Sequence, residues 1–88
     1  MRSTLEGLRS EIDSIDSQLV ELFVRRLSLM GEIAAAKAAS GVPLTDSGRE
    51  KAVLERLTAM APGEGDAIRK LYQTIFEISK EHQQRSMK

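Results

Sequence analysis

Five polar side chains sit where the hydrophobic spacing of this 88-residue chain calls for apolar ones: Arg26, Lys37, Glu50, Ser79 and Gln83. Arg26 falls four residues after Leu22 and three before Leu29, in a run whose apolar members recur every three or four positions. Lys37 follows eleven residues later, about 20° of rotation and roughly 16 Å of rise on a helix, so both cations share one face. Glu50 precedes Val53, Leu54 and Leu57 at helical spacing, which aims its carboxylate from the face that should be buried. Ser79 and Gln83 continue the apolar series Ile68, Leu71, Tyr72, Ile75, Phe76 with hydrogen-bonding groups. Buried charges need partners or a ligand. Two cations, a carboxylate and an amide brought together suit a small dianion that also carries a hydroxyl and an ether oxygen.

Each residue has a plainer explanation. Arg26 would set helix register, and Lys37 would snorkel at a helix end, where positive charge is favoured. Glu50 would close the capping box Ser47-Gly48-Arg49-Glu50, and Ser79 and Gln83 would mark a stripe fraying into solvent. Their coincidence on three separate segments favours a shared pocket. No nucleophile–base pair, metal set or glycine-rich phosphate loop stands beside them, so covalent, hydrolytic and nucleotide chemistry are disfavoured.

The elements that must hold these groups are helices. Leu5, Leu8, Ile12, Ile15, Leu19, Leu22, Leu29, Ile33 and Ala36 form one stripe with no proline before Pro43, and Gly41 with Pro43 is a stop signal. The spacing predicts a first helix over about 4–40, a loop over 41–46 and a second helix over about 47–61 capped by Asp46 or Ser47. A turn over 62–66 follows, with Asp66 capping a third helix over about 67–85. The first helix would be roughly 55 Å long, whereas a compact globule of this length is about 30 Å across. One chain cannot cover such a helix, so the expected fold is all-α, three helices per chain in an obligate homodimer.

Composition narrows the classes further. The chain lacks cysteine and has one histidine, His82, expected to face solvent, so neither a disulfide framework nor a zinc cluster can stabilise this small domain. Thirteen basic residues balance thirteen acidic ones and there are three aromatics, which argues against a nucleic-acid partner. No stretch approaches the roughly 20 apolar residues of a membrane span. A cytoplasmic location is the expectation.

The strings LRSEIDSIDSQLVELFVRR, GEIAAAK, GVPLTDSGREKAVLERL and LYQTIFEISKEHQ together resemble the all-helical chorismate mutases in order and spacing, from Leu8 to Gln83. The resemblance implies cofactor-free rearrangement of chorismate to prephenate in aromatic amino acid biosynthesis, in an obligate, intertwined homodimer whose pockets are each completed by an arginine of the other chain. That arginine corresponds to Arg9. By the same resemblance Arg26 and the neighbouring Arg9 clamp carboxylates, and Lys37 reaches a carboxylate and the ether oxygen. Gln83 donates to that oxygen, Glu50 binds the ring hydroxyl, and Asp46, Arg49 and Ser79 support the pocket. Two other readings stay open: an isochorismate pyruvate lyase on the same helical dimer, and a catalytically silent dimerisation or regulatory module. With five residues after Gln83, no fused dehydratase, dehydrogenase or sugar-phosphate synthase domain is expected.

Overall fold

A computed structural model describes residues 4–41, 43 and 47–86. Among them run three α-helices, α1 (Leu5–Ser40), α2 (Ser47–Met60) and α3 (Gly65–Ser86), with a 3-10 turn over Pro62–Glu64 and no strand. Thr4 lies just outside α1 in extended conformation, and its Oγ1 accepts a hydrogen bond from the Gly7 amide at 3.0 Å. This satisfies one of the amides that a helix start leaves unpaired. At the far end Gly41 adopts φ 74°, and its amide donates to the Ala38 and Lys37 carbonyls. A side chain there would be strained, so the glycine terminates the helix.

The turn after α2 departs from expectation. Pro62-Gly63-Glu64 forms a 3-10 turn, with the Glu64 amide donating to the Ala61 carbonyl at 2.9 Å, and Gly65 is already helical at φ −55°, ψ −44°. Asp66 is therefore inside the first turn of α3 and does not cap it; its carboxylate accepts from Arg69 at 3.3 Å. The helix gains residues at both ends relative to 67–85, because the 3-10 turn hands its direction straight to α3.

α3 is the packing hub. It packs against α1 and against α2, while no Cα of α1 comes within 8 Å of a Cα of α2 among the described residues. Val53 of α2, Phe76 of α3 and Ala34 of α1 are buried between them, as are Ser79 and Gln83. On α1 the covered positions run Phe23, Arg26, Leu27, Met30, Ala34 and Lys37, at helical spacing. Leu29, Ile33 and Ala36, expected on the buried stripe, remain exposed, because α3 approaches from a direction rotated away from the stripe's centre. Leu71, counted in the apolar series of the third helix, is exposed as well, and so is Met60 at the end of α2.

Before Phe23, every residue of α1 except Gly7 and Glu11 is exposed. Leu5, Leu8, Ile12, Ile15, Leu19 and Leu22 retain 48–63% of their accessible surface. The radius of gyration is 16.4 Å and the longest dimension 54 Å, against about 12 Å expected for the radius of a compact chain of this length. The excess is the length of α1. No helix among the described residues is long and apolar enough to cross a membrane.

Candidate functional site

Arg26 is the most heavily supported side chain of the site. Its Nη1 donates to Ser79 Oγ at 2.8 Å, and that hydroxyl donates onward to the Ile75 carbonyl at 2.7 Å. Its Cζ lies 5.8 Å from the ring centroids of both Tyr72 and Phe76, which pack edge to face at 66°. A guanidinium within about 6 Å of an aromatic face is attracted by the ring quadrupole. Two rings and a hydroxyl therefore fix the fork while most of its donors stay open for a planar anion. The helical spacing of Tyr72, Phe76 and Ser79 puts all three on the side of α3 that meets α1.

Around Arg26 a cavity of about 270 Å³ opens between the three helices. α1 contributes Arg26, Met30, Ile33 and Lys37, α2 contributes Arg49, Glu50 and Val53, and α3 contributes Phe76, Ser79 and Gln83. Ser79 and Gln83 keep 3% and 4% of their surface. They do not fray into solvent but place a hydroxyl and an amide in the wall of the cavity. Lys37 is half-buried at the end of α1. Glu50 Oε2 lies 3.3 Å from Lys80 Nζ, so the carboxylate is engaged across the α2–α3 seam.

The structure thus brings together Arg26, Lys37, Arg49, Glu50, Ser79 and Gln83 from the sequence-based candidates. Arg9 does not line the cavity; it is exposed on α1, seventeen residues or roughly 25 Å from Arg26. Asp46 lies outside the described residues. Two members escaped sequence reasoning, Met30 in the cavity wall and Lys80 beside Glu50. His82 is half-buried and does not face solvent fully, since α3 has a covered side this far along. Among the described residues no three His, Cys, Asp or Glu side chains gather to hold a metal ion. A larger hollow of about 620 Å³ at the α2–α3 turn is a surface depression, where the exposed Asp66 and Arg69 pair with each other.

A sequence model of chorismate mutase type II matches residues 8–84, a span that holds every cavity residue. The chain belongs to the chorismate mutase type II family. It is 32% identical over 82 residues to the chorismate mutase of Methanocaldococcus jannaschii, covering 93% of this chain and 82% of that protein. It is 36% identical over 81 residues to the bifunctional chorismate mutase/prephenate dehydratase of Buchnera aphidicola, covering 89% of this chain and 21% of the relative. With the T-protein of Haemophilus influenzae it shares 43% identity over 61 residues, 67% of this chain and 16% of the relative. The chain thus spans about a fifth of the length of these longer relatives. Within the type II mutase frame, the cavity of this chain is chemically simple: cations, one carboxylate, one hydroxyl and one amide over an apolar floor of Val53 and Phe76.

Proposed function

We propose that the chain rearranges chorismate to prephenate in its three-helix cavity, without a cofactor, in cytoplasmic aromatic amino acid synthesis. The reading is carried by the convergence of Arg26, Lys37, Arg49 and the buried Gln83 amide around Glu50 in a chain of this family. Chorismate carries two carboxylates, a ring hydroxyl and an ether oxygen, and this donor set matches it group for group. Arg26 takes one carboxylate through its fork, and Lys37 takes a carboxylate and the ether oxygen. Gln83 donates to the same oxygen, Glu50 accepts the ring hydroxyl, and Arg49, Ser79 and Asp46 support them.

No protein group needs to react covalently. In the pericyclic rearrangement the carbon–oxygen bond breaks ahead of carbon–carbon bond formation, and negative charge builds on the ether oxygen. Fixed donors at that oxygen lower the barrier, and the clamped carboxylates hold the enolpyruvyl arm over the ring. Arg26 suits the clamp because its position is already determined by Tyr72, Phe76 and Ser79.

The second half of the proposal is an intertwined homodimer in which Arg9 of one chain completes the other's pocket. The uncovered stripe from Leu5 to Leu22 supports it. Each such side chain forgoes roughly half of the about 1.5–3 kcal/mol available on full burial. Charge supports it too. The first half of α1 carries Glu6, Glu11, Asp13, Asp16 and Glu21 against Arg9, and the second half Arg25, Arg26 and Lys37 against Glu32. Two copies laid antiparallel would set acidic against basic halves and bring Arg9 toward the neighbour's Arg26.

Purified protein incubated separately with chorismate and with isochorismate tests the assignment. Prephenate from the first substrate and no salicylate or pyruvate from the second is the expected result. Salicylate with pyruvate would move the chain to the lyase reading, and no product from either would leave the silent module.

A further inference from the structure

A carboxylate is an awkward group in a site for a dianion. Glu50 must accept a hydrogen bond from a hydroxyl while two negative groups of the substrate sit in the same small cavity, where like charges repel one another. The neighbouring side chain that answers this is Lys80. Its Nζ lies 3.3 Å from Glu50 Oε2, with 38% of the lysine and 28% of the glutamate side chain exposed. Lys80 follows Ser79 on α3, so the same helix turn that anchors Arg26 also reaches Glu50 on α2. Lys80 itself does not line the cavity.

We infer that Lys80 is a positioning residue that acts on substrate through Glu50: it holds one carboxylate oxygen and offsets its charge, leaving the other oxygen to accept the ring hydroxyl. This rests on the mutase reading. The pairing makes a division of labour in which α1 supplies the cations for the substrate's carboxylates and α3 supplies the cation for the enzyme's own. Because the hydroxyl takes no part in bond making, the contact exists in ground state and transition state alike. Its loss belongs in KM more than in kcat.

A double-mutant cycle in the full chain separates action through Glu50 from a general attraction for the dianion. Lys80→Met should lower kcat/KM by roughly twofold to 150-fold, the range of coupling between contacting residues, mainly through KM. Lys80→Arg should restore most of it. In a Glu50→Gln background, Lys80→Met should cost little further, since the amide needs no counter-charge. An equal cost of Lys80→Met in both backgrounds, fading at high salt as long-range attraction does, would overturn the inference, as would failure of Lys80→Arg to restore activity. Circular dichroism and sedimentation of each variant guard against misfolding; a Lys80→Met chain that fails to fold or assemble also overturns it, because the role would then be structural. Wild-type protein inactive on chorismate removes the mutase reading and this inference together, whereas active wild type with an additive cycle removes this inference alone.

Discussion

Lys37 and Gln83 would serve one oxygen with different chemistry, and two substitutions separate them. Removal of a fixed donor at developing negative charge typically costs about 100–1,000-fold in rate. Lys37→Ala should lose that much in kcat with its helical content unchanged; near-normal turnover would take Lys37 out of the mechanism. Gln83 donates at any ordinary pH, while a glutamate donates only when protonated. Gln83→Glu should therefore be most active in acid and lose rate as pH rises, and a flat profile through neutrality would exclude the contact. These residues were legible in the sequence because each interrupts an apolar series, and burial bears the interruption out for Ser79 and Gln83. Lys80 was not legible. It sits about 100° around α3 from Ser79, where periodicity alone assigns solvent, and its relevance depends on where α2 brings Glu50.

At the scale of elements, the ends of α1 are held by local devices whose strength can be measured. Thr4→Ala removes the acceptor for the Gly7 amide and should cost about 1 kcal/mol. Gly41→Ala meets no atom within 4 Å, so its cost is that of the left-handed backbone, about 1–2 kcal/mol. Urea midpoints at one fixed protein concentration would read both, and an unchanged midpoint for Gly41→Ala would mean the helix end can relax. The long helix and its stop were legible from Gly41 and Pro43. The start of α3 was not, because a 3-10 turn through Pro62–Glu64 resembles an ordinary loop in composition, and Asp66 resembles a cap wherever a helix is about to begin. Which side of α1 meets α3 was also hidden: a stripe reports apolar character, not which of two neighbours will cover it.

For the molecule as a whole, the uncovered half of α1 would, under the proposed homodimer, make stability and activity properties of the assembly. Melting temperature should rise with protein concentration, as mass action requires for an obligate dimer. A concentration-independent melt would count against that assembly. Shared pockets give a sharper expectation. Arg9→Ala and Lys37→Ala chains, each inactive alone, should regain about a quarter of wild-type activity when unfolded together and refolded, because a two-fold dimer of one chain of each kind keeps one unmutated site. No recovery would mean that each pocket is complete within its own chain. The length of α1 was legible in the sequence, and the structure agrees that α2 and α3 leave its first half uncovered; what covers that half was not.

The separation of α1 from α2 has a bearing on motion. With α3 as their common support and no Cα pair between them within 8 Å among the described residues, the two helices are braced on one side and open on the other, across the cavity. A small dianion gripped by Arg26 and Lys37 on one wall and by Arg49 and Glu50 on the opposite one would act as the missing brace. Amide hydrogen exchange should then slow more in α2 than in the middle of α3, which is already held from two directions. The bound molecule would be, in mechanical terms, the keystone of the arch it enters.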